Sequence, residues 1–140
     1  MTLTQAEIDY LSEQRLGRLA TVQPDGSPQV KPVGFRYNAE LGTVDVTGFG
    51  MLSSQKFRNV GRNGLAALVV DDIPSVQPWR VRFLEIRGPA EAVSDGQGDA
   101  ASRDAALIRI HPRRVISFGV EEPPDEPHRT KMRARSVPDA

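Results

Sequence analysis

The segments Leu16-Gly-Arg-Leu-Ala-Thr-Val22, Gln23-Pro-Asp-Gly26 and Pro28-Gln-Val-Lys-Pro-Val-Gly-Phe-Arg-Tyr37 follow one another along the chain. Small and branched residues make the first a strand, and Pro-Asp-Gly is turn chemistry. The third segment returns as a second strand, so the stretch reads as a β-hairpin. Pro32 cannot donate a backbone hydrogen bond, which predicts an edge position or a bulge at that point of the second strand.

Working outward, Thr4 and Glu7 have the spacing of a capping box, and Ile8, Leu11 and Tyr10 give an amphipathic first helix of two to three turns. Asn38 to Gly42 is a turn, and Thr43-Val-Asp-Val-Thr47 alternates with the period of a half-buried strand. The near-continuous apolar run from Leu65 to Asp71 predicts a strand buried on both faces. Asp72 to Arg80 is a proline-rich loop holding the single tryptophan, Trp79, and Val81 to Val93 is one long strand or a bent pair. Ser94 to Ser102 is flexible by composition, Asp104 to Ile110 is a short helix or an extended segment, and Val115 to Val120 is a last strand. From Glu121 the composition turns to Pro, Glu, Asp and Arg, so residues 1–120 read as one domain and 121–140 as a poorly ordered tail. About six strands joined as hairpins, with two or three short helices, predict a mainly β (α+β) fold: a six-stranded antiparallel closed or split β-barrel.

The totals narrow the function. The chain has 140 residues, enough for one domain with a real core. Its 18 Lys and Arg balance 18 Asp and Glu, leaving no global field for nucleic acid or an acidic membrane, so any anion site must be local. Cysteine is absent, which excludes disulfides, thiolate metal sites and redox thiols. His111 and His128 stand apart from any carboxylate cluster or Gly-x-Ser-x-Gly turn, so neither a metal site nor a hydrolytic triad is assigned. No phosphate-binding Walker loop or Gly-x-Gly-x-x-Gly turn occurs. The first residues lack the basic and apolar regions of a signal peptide and no long apolar run follows, which predicts a cytoplasmic protein.

The strongest local chemistry lies in Met51-Leu-Ser-Ser-Gln-Lys-Phe-Arg-Asn-Val-Gly-Arg62. Leu52, Phe57 and Val60 have the spacing of a short helix on a core. Ser53 and Ser54 stand at its start, where hydroxyls cap free N–H groups or, together with those groups and Lys56, hold an anion. Arg58 adds a fork for phosphate oxygens. A capped, solvated surface helix fits the same residues, and the pattern alone leaves both readings open. Trp79 beside Arg80 stacks on a flat ligand or caps the barrel end.

Leu16 to Val22, Gly26 to Val30, Pro32-Val-Gly-Phe35 and Lys56-Phe-Arg-Asn-Val60 together resemble the pyridoxamine phosphate oxidase-like split-barrel family of flavin and deazaflavin enzymes. Val69 to Asp72, Pro78-Trp-Arg80, Glu85 to Gly88 and Ile110 to Arg114 are similar to its branch that uses coenzyme F420, which includes dehydrotetracycline reductases. The resemblance implies a homodimer with cofactor clefts at the subunit interface and a small-molecule acceptor, and a hydride transfer that needs no charged triad. It implies that the cofactor ring lies against Pro32, Val33 and Gly34. The phosphate end would meet Ser53, Ser54, Lys56 and Asn59, with Trp79 and Arg80 reaching in from the loop. F420 is the implied cofactor and FMN its alternative on the same barrel; a non-catalytic carrier of either is the third reading. The resemblance assigns no catalytic residue.

Overall fold

A computed structural model describes residues 2–94, 106–122 and 130–138. The expectations for Ser94 to Ser102 and for His128 therefore fall almost wholly outside the described residues.

Thr4 caps α1 (Gln5–Glu13): its hydroxyl accepts from the Glu7 amide, while the Glu7 carboxylate accepts from the Thr4 amide at 2.8 Å. The capping box read from the sequence is present, and it leaves Tyr10 and Leu11 buried on the core side.

β1 (Gly17–Val22) and β2 (Pro28–Asn38) form the expected antiparallel hairpin, with Gly26 at a φ of 88° in the turn. β3 (Thr43–Thr47) pairs with β2 only from Gly34 onward. The half of β2 that contains Pro32 is thus bonded to β1 alone, as the missing N–H required. After β3 come a single 3₁₀ turn (Met51–Ser53) and α2 (Gln55–Asn63). β4 (Leu65–Ser75) and β5 (Arg80–Ser94) then form a long hairpin with an irregularity between Asp72 and Ser75, next to Pro74. The loop predicted over Asp72 to Arg80 is accordingly shorter, because Asp72 and Ser75 still pair with Arg82 and Arg80.

β6 (Ala106–Ile110) settles the helix-or-strand alternative for that segment, and β7 (Arg114–Phe118) continues along the same edge of β5. Where the two meet, the His111 amide donates to the Pro89 carbonyl and the Arg113 amide to the Arg87 carbonyl. The crossing requires glycine on β5: a Cβ on Gly88 would sit 1.9 Å from the His111 carbonyl oxygen.

β6 also pairs with β3, so β4, β1, β2, β3, β6 and β5 close into a ring of six antiparallel strands. Leu19, Val44, Val46, Leu68, Leu84, Ile86, Ile108 and Ile110 fill it, each almost wholly inaccessible. Asp45, on the opposite face of β3 from Val44 and Val46, is buried as well; burial alone would raise its pKa, but bonds from Arg109, Asn38 and Thr43 hold the carboxyl below its usual range.

Three further features differ from the sequence expectations. β3, read as half-buried from its alternation, is buried on both faces from Thr43 to Val46, because Asn38 and Arg109 bond to the polar residue between the two valines. β4 is buried on one face only: Ala66, Leu68 and Val70 point inward while Leu65 is exposed, an alternation hidden by the uniformly apolar side chains. Part of the tail is ordered as β8 (Met132–Ser136), paired with β7 from Phe118↔Met132 to Arg114↔Ser136. Its anchor is Arg135, whose guanidinium grips the buried Glu7 carboxylate at 2.6 and 2.7 Å.

Candidate functional site

α2 begins on Ser54, whose hydroxyl accepts from the Phe57 amide at 3.2 Å and donates to the Met51 carbonyl at 2.7 Å. Ser53 donates to the Gly50 carbonyl, and Arg58 folds back onto the Ser53 carbonyl and the Gln55 side chain at 2.7 Å each. The guanidinium expected to fork a phosphate instead braces the turn that leads into the helix. Asn59 is buried; its amide donates to the Thr21 hydroxyl at 3.1 Å and accepts from Gln55, which locks α2 onto β1. These bonds fix the start of the helix, where the peptide dipoles present positive potential to whatever lies before it.

Before it lies the unpaired half of β2. Pro32, Lys31 and Gln29 face Ser54, Gln55 and Lys56 across a cavity of about 310 Å³. Three predicted residues, Pro32, Ser54 and Lys56, are therefore brought together. Val33 points into the core. Gly34 stands where β3 begins to pair, and a Cβ there would meet nothing nearer than the Thr47 carbonyl at 3.8 Å. Packing does not demand a glycine at this position.

Lys31 is the residue that sequence reasoning missed. Burial, and then the Lys31 ammonium, hold Lys56 below the ordinary lysine range. Neither lysine has a carboxylate partner among the described residues. Two cations that repel each other beside a helix start concentrate positive charge at this cavity in a chain of zero net charge. The available signal was positional: Gln29 and Lys31 alternate on one face of the segment that Pro32 holds at the edge.

Trp79 and Arg80 are elsewhere. They line a second cavity of about 350 Å³ at the far end of the β4–β5 hairpin, with Pro74, Phe118, Val120 and Glu122. Within one chain the predicted residues thus fall into two cavities. A third, of about 430 Å³ and mostly apolar, lies on the outer face of β1 and β4 against Val22, Pro28, Leu65, Ala67 and Pro89. Among the described residues no cluster of His and carboxylates could hold a metal ion, and no helix is long and apolar enough to cross a membrane.

The sequence profile of pyridoxamine 5′-phosphate oxidase matches residues 3–132. The chain belongs to the pyridoxamine 5′-phosphate oxidase family. Within this family it is 46% identical over 122 residues to a 5a,11a-dehydrotetracycline/5a,11a-dehydrooxytetracycline reductase of Streptomyces rimosus, covering 86% of each chain. It is 34% identical over 119 residues to an F420H2-dependent biliverdin reductase of Mycobacterium tuberculosis, covering 81% of this chain and 80% of that one. The family barrel recurs in the crystal structure of an FMN-binding, pyridoxamine 5′-phosphate oxidase-related protein of Nostoc punctiforme. That structure superposes with a TM-score of 0.62 at 12% identity over 99% of both chains. The resemblance of family and fold read from the sequence is thereby established.

Proposed function

We propose that this protein is a cytoplasmic, homodimeric F420-dependent oxidoreductase that moves a hydride between the deazaflavin and a conjugated organic acceptor. The observation that carries the reading is the pair Lys31 and Lys56, two cations without counter-charges among the described residues, at the open edge of β2 and the start of α2. The identity to an F420H2-dependent reductase supports this choice of cofactor.

The donor set fits an anionic, phosphate-bearing group. Lys31 and Lys56 supply charge, and the first-turn amides of α2 supply directed N–H groups. Ser54 and Arg58, already bonded to the backbone, keep that turn from shifting when the anion enters. The open backbone at Gly34, beside Pro32, leaves room for a flat ring against β2. When bound, the reduced deazaflavin supplies a hydride from C5 to the acceptor; the protein's part is to align two flat molecules and exclude water. The apolar outer face of β1 and β4 is the surface on which a second copy would pack.

The direct test is oxidation of reduced F420 by a panel of conjugated acceptors that includes biliverdin. Turnover is expected with at least one acceptor, and Lys56→Ala is expected to lower kcat/KM by tenfold or more through cofactor affinity, since a hydrogen bond to a charged group contributes about 1.5–3 kcal/mol. Unchanged kinetics in Lys56→Ala would remove that lysine from the site.

A further inference from the structure

The chain holds three lysines against fifteen arginines, and two of the three, Lys31 and Lys56, line the same cavity. The buried carboxylates are held by arginine instead, Glu7 by Arg135 and Asp45 by Arg109. Both residue types are cationic at neutral pH, but only a lysine gives up its proton readily and then presents a nucleophilic lone pair. Two amines placed together therefore allow a chemistry that two guanidiniums at the same points would not.

The surroundings favour the free amine on one of the two. Lys56 is half-buried in the first turn of α2, whereas Lys31 is exposed on β2. The other side chains of the cavity, Gln29, Pro32, Ser54 and Gln55, bring no negative charge, and Gln55 is already bonded to Arg58 and Asn59. Burial first, and the neighbouring Lys31 charge second, push the Lys56 ammonium toward losing its proton. The cavity thus sets a nucleophilic amine beside an exposed ammonium, with no carboxylate among the described residues to neutralise either.

From this arrangement we infer that Lys56 is a site of acylation by small acyl phosphates, Lys31 holding the phosphate while the Lys56 amine takes the acyl group. The Nζ lone pair attacks the acyl carbon, the bond from that carbon to the bridging oxygen breaks, and inorganic phosphate leaves with the amine proton. Nothing is oxidised or reduced, and the product is a neutral amide at Lys56. An acyl phosphate suits the cavity because its leaving group carries the charge that Lys31 attracts. The effect on the enzyme rests on the cofactor reading, since the amide removes one of the two cations assigned to F420; the acylation itself stands on the cavity.

The test exposes the full-length protein to acetyl phosphate and, separately, to N-acetoxysuccinimide, an acetylating reagent without a phosphate, and follows each lysine by peptide mass spectrometry. Lys131, exposed and outside the cavity, is the internal reference. Acetyl phosphate is expected to modify Lys56 about tenfold or more faster than Lys131, because desolvation and an adjacent cation activate a lysine nucleophile and Lys31 holds the reagent beside it. The preference is expected to shrink with N-acetoxysuccinimide, with excess inorganic phosphate and in Lys31→Ala. Equal rates at Lys56 and Lys131, or a preference unchanged by both inorganic phosphate and Lys31→Ala, would overturn the inference. F420 titrated before and after treatment separates the two claims. The treated wild type is expected to lose F420 affinity, and Lys56→Arg, which keeps the charge but has no amine to acylate, is expected to keep it. Selective acetylation of a protein that does not bind F420 removes the cofactor reading alone, and F420 binding without selective acetylation removes the acylation site alone.

Discussion

Lys56 is the residue on which the cofactor reading turns, and its proton is the handle for testing it. Burial and Lys31 both disfavour the charged form, so the free protein releases this proton below the usual lysine value of 10.5. An anion binds the protonated form. Affinity for a phosphate-bearing ligand should therefore hold at neutral pH, where Lys56 keeps its proton. It should then fall by up to about tenfold per pH unit once the pH passes the depressed Lys56 value. Removing the neighbouring charge in Lys31→Ala should move that fall to higher pH while weakening binding at pH 7.5. Titrations between pH 7 and 10.5 read both effects; a decline at the same pH in the two proteins would mean that Lys31 does not act on Lys56. In the absence of ligand the sign is the reverse of the familiar buried-carboxylate case. The unfolded chain binds the extra proton, so this group makes stability rise with pH between its folded and unfolded values.

At the scale of elements, β8 shows how a polar segment becomes structure. Met132-Arg-Ala-Arg-Ser136 has no apolar alternation to announce a strand, and its flanking composition reads as tail. The determinant lies more than a hundred residues away in Glu7, 1% exposed on α1, whose carboxylate needs the Arg135 guanidinium. Arg135→Ala leaves that carboxylate buried and is expected to cost about 3 kcal/mol, the usual penalty for breaking a buried pair from one side. It should also release the amide protons of β8 from exchange protection. Protection unchanged in the variant would show that the β7–β8 ladder holds on its own. The elements that were legible carried their signal locally: the Thr4–Glu7 box, the Pro-Asp-Gly turn, the Pro32 break and the strand, though not its two-sided burial, at Thr43 to Thr47. Lys31 and the one-sided burial of β4 were not, because each depends on which segment the closed ring brings alongside. The Leu65 to Val70 run is apolar on both faces, yet the barrel covers only one of them.

That uncovered face is a property of the whole molecule. Leu65 is 55% exposed and borders the apolar cavity formed with Val22, Pro28 and Pro89. In an isolated barrel Leu65→Glu should change stability by no more than about 0.5 kcal/mol, as surface substitutions do. In a dimer packed on this face it should give a folded monomer by sedimentation velocity and abolish cofactor binding. A dimer that survives the substitution would place the subunit contact elsewhere. The account as a whole rests on a deazaflavin being the group for which the Lys31–Lys56 cavity is built. The most direct test is a parallel equilibrium titration of the purified protein with F420 and with FMN, repeated in Lys56→Ala. The account predicts that F420 binds more tightly than FMN and that the variant loses about tenfold or more of that affinity. Tighter binding of FMN, or F420 affinity indifferent to Lys56, would contradict it.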